Sequence, residues 1–398
     1  MKKKLAALLT AFTLLLSITA YADIPKFHYS FEEAFKMALD NTPEYKVMDN
    51  TIDDAYDSYE YLDKKTPSTV KFKKSKKMKY FILEDVDGQT ALDTAWNTYR
   101  LLKLSKDNIK RNIELSLKKI VIGIEKAEMA VKEAKINEKA LNEQLRLLEI
   151  QYEQSLISKN NYKNKKRELK DIIKSLDDVD KAVDMSYHQL NMLLGRKDNN
   201  DIVIKMDSKD IPLEQLDLDQ IKKDMINISD KVTNYSPSIL RLPSSLVVLK
   251  NDRSIIKSRY SLIAEQYDEY NLDKLDDDDR DETEDLLKKA HIDYEVADKK
   301  YNNALAQFDK DFDDMIEDME DLYDNIKDIK EEIADEKSNQ KIYKIKYDSG
   351  MISKIEYDNL NDNMVLLENK LRSAELDLNM KYAELLIYSD LKKVVLAE

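Results

Sequence analysis

Apolar residues recur at alternating steps of three and four over long stretches of the chain. From residue 117 these steps give an almost unbroken apolar stripe: Leu117, Ile120, Ile124, Ala127, Val131, Ala134, Glu138, Leu141, Leu145, Leu148 and Tyr152. A repeat of about 3.5 residues is typical of helices that pack side by side with a left-handed supercoil. The pattern predicts a helix from about residue 100 to 154, roughly 80 Å long at about 1.5 Å per residue.

A second stripe with the same spacing follows after a short break: Leu169, Ile172, Leu176, Val179, Val183, Ser186, Leu190 and Leu193. Shifted by 195 positions, it falls on Met364, Leu367, Leu371, Ala374, Leu378, Lys381, Leu385 and Tyr388, with the heptad phase kept. Ten identities follow the same shift over 42 positions, among them Tyr152 with Tyr347. We infer an internal duplication, with domains of residues 23–213 and 214–398.

Proline and glycine mark the predicted helix ends. Residues 68–211 and 244–398 contain no proline, so each stretch can hold helices much longer than the usual three or four turns. Ser30 and Glu33 have the spacing of a capping box at the start of a short helix. Gly195 stands where a glycine would end a helix in the left-handed conformation.

These signals predict the same order of elements in both repeats. In the first repeat they give a short helix ending near Asn41, a helix from Pro43 to about Tyr61, a long helix to about Glu153, a turn at 155–158 and a return helix to Leu194. In the second they give a helix after Pro237, a long helix to about Asp348, a turn at 349–353 and a return helix to about Tyr388. Ile202-Val203-Ile204, between the repeats, is either a short strand or a packed linker.

Composition supports an all-α protein and argues against most enzyme classes. Only 4 Gly and 6 Pro occur in 398 residues, too few for the turns of sandwiches, barrels or doubly wound sheets. The chain has no Cys, which excludes disulfides and thiolate metal sites, and its 3 His are far apart. We therefore expect no metal, no cofactor and no catalytic activity.

The N-terminus predicts export. Three lysines precede an apolar stretch from Leu5 to Leu16, and Ala20-Tyr21-Ala22 is a small-x-small cleavage site. Residues 1–22 are therefore predicted to be a signal peptide, which places the mature chain in the cell envelope, in the periplasm, at the outer membrane or at the extracytoplasmic face. Removing it changes the net charge from −14 to −17, which disfavours nucleic acid as a partner.

Three ordered motifs resemble the TolC-like outer membrane efflux proteins. Phe31–Tyr45, with its Asn-Thr-Pro segment, resembles the opening of a repeat in that family. Tyr347–Ser353 resembles the turn between the long helices, and Leu190–Gly195 resembles the end of a repeat. Each motif is weak alone, but the ordered set behind a signal peptide covers nearly the whole mature chain.

The resemblance implies a protomer with long coiled-coil helical hairpins in two tandem repeats, three of which form a helical barrel. It also implies a periplasmic adaptor protein and an inner-membrane transporter as partners, and a substrate that passes without chemistry. The adaptor-binding tips would be Ser155, Leu156, Ile157 and Ser158, with Gly350, Met351, Ile352 and Ser353. Glu356 would constrict the entrance, with the non-acidic Asn161 as its counterpart; the alternative is that Glu356 is a solvated charge.

One feature departs from the family pattern. Where family members have strands of a membrane barrel, residues 61–80 hold eight Lys and residues 268–287 hold eleven acidic side chains. Such charge does not suit a lipid-facing strand, so we expect little or no β-barrel. The two segments either dock on each other or are solvated loops. The resemblance favours an efflux or secretion channel component, and this departure leaves open an exported coiled-coil structural or binding module that has lost the barrel.

Overall fold

The computed structural model describes residues 27–66, 78–197, 202–205, 244–269 and 277–388. Their elements, in chain order, are β1 (Phe27–Ser30), α1 (Phe31–Asn41), α2 (Pro43–Lys65), α3 (Met78–Glu153), α4 (Lys159–Leu194), β2 (Ile202–Lys205), α5 (Ser244–Glu269), α6 (Asp277–Asp348) and α7 (Lys354–Tyr388). The predicted all-α class with long helical hairpins is confirmed. The signal peptide, Pro237 and the centres of the charged segments, 67–77 and 270–276, lie outside the described residues.

The chain divides into two compact units that differ from the sequence repeats. The first unit comprises Met1–Asn41 with Gly123–Ser208, and the second comprises Thr42–Ile122 with Lys209–Glu398. The duplication into residues 23–213 and 214–398 therefore stays a prediction about the sequence. Among the described helices, none combines the length and apolar character of a membrane span.

In the first unit, a two-stranded parallel sheet joins segments that are far apart in sequence. Phe27 pairs with Ile202 and Ser30 with Lys205, so Ile202-Val203-Ile204 is a strand rather than a linker. The sequence had not predicted the partner strand β1. Helix α1 packs its fully buried Ala34 and Ala38 beneath this region.

The predicted capping box starts α1. The Ser30 backbone N–H donates to Glu33 Oε2 at 2.8 Å, and the Glu33 N–H donates to Ser30 Oγ at 3.2 Å. These bonds satisfy backbone donors that have no partner inside the helix. The bonds that the Glu33 carboxylate accepts from the Ser30 N–H and, at 3.0 Å, from the Ser30 hydroxyl hold its pKa below the usual range.

The end of α4 is closed by the predicted glycine and by a side chain from α1. Gly195 has φ of 67° and its N–H donates to Asn191 and Met192 carbonyls. Asn41 Nδ2 donates to the Met192 carbonyl at 2.9 Å and to the Leu193 carbonyl at 3.2 Å. The side chain of Asn41 thus accounts for carbonyls that a helix C-terminus leaves without partners, and it fastens α1 to α4.

In the second unit, α6 packs against α7 through an apolar seam with strict seven-residue spacing. Phe312, Met319, Ile326 and Ile333 are buried on α6, and they pack with α7 residues that include Leu385 and, farther along, Met364. Ion pairs flank the seam: Lys381 with Asp318 at 2.6 Å, Lys330 with Glu375 at 3.7 Å and Lys370 with Glu332 at 3.7 Å.

Helices α2 and α3 meet through a group of aromatic rings. Ring centroids of Tyr59 and Trp96 lie 4.8 Å apart, and those of Tyr56 and Tyr99 lie 5.2 Å apart. Lys106 adds an ion pair with Asp49. The helix predicted from Pro43 to about Tyr61 extends one turn farther, to Lys65.

The close approach at Gly195 predicts a stability effect. A Cβ on residue 195 would lie 2.5 Å from Asn41 Oδ1, and the φ is left-handed. We expect Gly195→Ala to lower the free energy of unfolding by about 1–2 kcal/mol or more, measured by urea denaturation. The matched control is Gly123→Ala, because Gly123 is helical with open space around its Cβ position. That change should raise stability by about 0.5–1 kcal/mol, and equal effects of the two changes would contradict this account.

Candidate functional site

The two predicted turns between long helices are present, and their backbones match at a shift of 195 positions. The first hairpin turn, residues 154–158, joins α3 to α4, and the second, residues 349–353, joins α6 to α7. The N–H of residue 155 donates to the Tyr152 carbonyl at 3.0 Å, and that of residue 350 to the Tyr347 carbonyl at 2.9 Å. The next N–H groups agree as well, because that of Leu156 donates to the Gln151 carbonyl at 2.8 Å and that of Met351 to the Lys346 carbonyl at 2.7 Å. This is the local geometry that a duplication predicts.

Each turn requires one residue in the left-handed conformation. Gly350 has φ of 71°, and Ser155, at the matched position, has φ of 57°. A non-glycine residue there costs roughly 1–2 kcal/mol, because its Cβ approaches the following carbonyl oxygen. The first turn therefore keeps a serine at a position where glycine would be favoured.

Stacked tyrosines brace both turns. The rings of Tyr152 and Tyr162 lie 4.5 Å apart with an interplanar angle of 9°, and those of Tyr347 and Tyr357 lie 4.9 Å apart at 12°. Each pair joins the outgoing helix to the return helix. The sequence placed Tyr152 and Tyr347 beside the turns but missed the stacking, although all four tyrosines belong to the matched identities.

The predicted site residues fall into three structural roles. Ser155 and Gly350 set the left-handed turn, while Ile157 and Ile352 are half-buried. Leu156 and Met351 point to solvent, with 69% and 76% of their surfaces exposed. Their role in adaptor binding stays a prediction. The sequence missed two further exposed apolar pairs, Leu147 with Ile150 and Ile342 with Ile345, because they lie off the heptad stripe.

The serines that end the turns cap the return helices. Ser158 Oγ accepts from the Asn161 N–H at 3.3 Å, and Ser353 Oγ accepts from the Glu356 N–H at 3.2 Å. Only the second turn has the full capping box, in which the Ser353 N–H also donates to Glu356 Oε2 at 2.7 Å. The hydrogen bonds that the Glu356 carboxylate accepts from the Ser353 N–H and the Ser353 hydroxyl hold its pKa below the usual value. The entrance constriction by Glu356 and Asn161 stays a prediction.

The first turn has a cluster of charges in place of that capping box. Lys166 Nζ lies 2.6 Å from Glu149 Oε1 and donates to Tyr162 Oη at 2.7 Å, while the Tyr162 hydroxyl donates to the same Glu149 oxygen at 3.2 Å. The lysine lowers the pKa of Glu149, and the carboxylate raises the pKa of Lys166. The matched positions in the second hairpin hold Lys344 and Asn361, which cannot form this ion pair. The two turns thus share a backbone, a serine N-cap and a tyrosine pair, but they differ in their charged side-chain contacts.

No family model matches the sequence, and no curated protein sequence matches it. Solved structures do match over nearly the whole chain. The outer membrane protein VceC of Vibrio cholerae has 12% identity and a TM-score of 0.54, covering 89% of this chain and 95% of its own. The Campylobacter jejuni CmeC outer membrane channel has 10% identity and a TM-score of 0.56, over 90% and 85% of the two chains. The chain has the TolC-like fold.

A third match gives the same result. A membrane protein from Pseudomonas aeruginosa has 11% identity and a TM-score of 0.57, covering 90% of this chain and 89% of its own. The resemblance seen in the sequence motifs is therefore confirmed for the fold. Among the described residues, no three His, Asp or Glu side chains are grouped to hold a metal ion.

The matched turns predict opposite effects of exchanging their left-handed residues. Ser155→Gly should raise the free energy of unfolding by about 0.5–1 kcal/mol, because the Cβ penalty is removed. Gly350→Ser should lower it by a similar or larger amount. Urea denaturation followed by far-UV circular dichroism measures both changes. A loss of stability in Ser155→Gly would show that its hydroxyl, rather than its backbone conformation, determines the effect.

The capping box predicts a pH-dependent effect of Glu356→Gln. The pKa of Glu356 is lowered on folding from 4.5, so the carboxylate stabilises the fold above that pH. The stabilisation is lost as the pH falls through the lower pKa of the folded state. We expect the variant to melt below wild type at neutral pH, and the difference to shrink below pH 4.5. Asn161→Gln is the control and should show no pH-dependent difference, whereas a Glu356→Gln difference that persists in acid would contradict the assignment.

Proposed function

We propose that this chain is an exported channel component of an efflux or secretion system. It works as a homotrimer with a periplasmic adaptor protein and an inner-membrane transporter, and it carries out no chemistry on its substrate. The observation that carries the proposal is the match to outer membrane channels along 90% of this chain and 85–89% of theirs. Because a fold alone does not define a function, the hairpin turns supply the second argument.

The hairpin turns have the properties of docking points. Leu156 and Met351 expose most of their apolar surface, so burying them against a partner would contribute to binding. The stacked tyrosines beside them join the two helices of each hairpin, so little further ordering is needed when a partner binds. Both features support the proposal that the adaptor contacts the chain at its turns.

A second candidate is an exported structural or binding module of the cell envelope. The charged segments, residues 61–80 and 268–287, favour it, because they replace the apolar alternation expected of family members. Such a module would use the helices as a spacer and would conduct nothing. The two candidates therefore differ in a property that can be measured directly.

Conductance and mass distinguish the two. The mature chain, purified in detergent, should have the mass of about three copies by light scattering and should give discrete conductance steps in a planar bilayer. A monomer without conductance would overturn the channel proposal and support the structural module.

The docking role of the turns is tested in the host. Leu156→Asp with Met351→Asp should leave the conductance steps unchanged and abolish extrusion of a dye whose extrusion requires the wild-type chain. Met185→Asp is the matched control, because Met185 is 64% exposed on α4 but lies far along the helix from the turn. Normal extrusion by the double variant would contradict docking at the turns.

A further inference from the structure

The first return helix carries a basic stripe in an acidic protein. Residues 159–174 hold seven basic and two acidic side chains, whereas the whole chain has a net charge of −14. Five of the bases fall within one side of α4, since successive residues turn by about 100°: Lys159, Lys163, Arg167, Lys170 and Lys174. All five are exposed. We call this set the basic stripe.

The second return helix has no such stripe. The matched positions on α7 hold Lys354, Asp358, Asp362, Val365 and Asn369. Residues 354–369 as a whole have one basic and four acidic side chains. The two hairpins therefore agree in turn geometry and in apolar exposure but differ in the sign of the charge beside the turn.

The fold itself gives no reason for the basic stripe. None of its five side chains forms an ion pair with a described residue, and Lys170 adds only a small effect to the lowered pKa of Glu149, after that of Lys166. The first turn of α4 contains no acidic side chain. Lysines near a helix N-terminus lie at the positive end of the helix dipole, which is unfavourable. By contrast, Lys166, just beside the stripe, is paired with Glu149. The stripe therefore adds no ion pair to the described part of the chain.

We propose that the basic stripe binds an acidic helix of the adaptor, and that it makes the first hairpin the charge-selective one. This rests on the proposed function, in which the adaptor contacts the hairpin turns. The stripe spans about 22 Å along one helix face, and its steps of three and four are those of carboxylates on one face of a partner helix. Exposed Leu156 lies at its near end, so an apolar contact can accompany the ion pairs.

The probe is a designed helical hairpin whose glutamates follow the same steps of three and four. A second hairpin has the same composition with the glutamates spread around the helix. Fluorescence anisotropy with the full mature chain should show binding of the matched probe at least about tenfold tighter than of the scattered one. Binding should weaken markedly between about 50 mM and about 300 mM salt, because exposed charges are screened. Equal binding of both probes would overturn the proposal.

Three sets of variants locate the binding. Lys163→Glu with Arg167→Glu and Lys170→Glu should weaken binding about tenfold or more. Lys289→Glu with Lys299→Glu and Lys310→Glu changes the net charge equally on exposed positions of α6 and should leave binding unchanged. Asp358→Lys with Asp362→Lys and Val365→Lys should add a second site on α7. If the α6 variant lost as much affinity for the matched probe as the α4 variant, the proposal would be overturned.

Two further measurements test whether the partner is a lipid surface and whether the basic stripe acts independently of conductance. Vesicles of phosphatidylcholine with phosphatidylglycerol should not bind, and vesicle binding without probe binding would make the partner a lipid surface and overturn the proposal. The charge-reversal variant on α4 should conduct like wild type. If the wild-type chain conducts but does not bind the matched probe, only the proposed role of the basic stripe is overturned. If it binds the probe but does not conduct, only the proposed channel function is overturned.

Discussion

The heptad seam between antiparallel helices is the constraint on which the rest of the structure depends. A helix such as α6, with Asp277 and Asp348 at its ends, has no stable form in water unless an apolar face is covered along its length. Phe312, Met319, Ile326 and Ile333 provide that face at steps of seven. The turn then has to return the chain in the register that brings the α7 stripe onto this face, so turn geometry is under the same constraint.

The two hairpin turns show how one backbone solution can be supported by different side chains. Both use a left-handed residue, a serine N-cap and a stacked tyrosine pair. The first adds a cross-helix cluster of Glu149, Tyr162 and Lys166, and the second adds the capping box of Glu356. Two turns with the same backbone can therefore differ in charge, and charge is the property that lets a partner distinguish two similar surfaces.

The local distribution of charge on the surface differs from what the net charge of the chain suggests. A net charge of −14 suggests a protein that repels other acidic surfaces. The exposed bases of α4 reverse this locally, beside a turn that exposes Leu156. Local surface charge, rather than net charge, decides which partner can approach such a site, because screening limits exposed charges to a range of about 8–10 Å.

The sequence by itself determined the features that depend on near neighbours. The capping box of Ser30 and Glu33, the left-handed Gly195, both hairpin turns and most helix ends were predicted within a few residues, since each involves positions close in the chain. The start of α3 is the exception, because it was predicted near residue 100 and lies at Met78. Only the tertiary structure decided the pairing of β1 with β2, which joins Phe27 to Ile202, and the contact of Asn41 with the end of α4. It also decided which apolar side chains, such as Ile345, remain exposed. These depend on partners more than a hundred residues away or on what covers a helix face, and a periodic pattern contains neither.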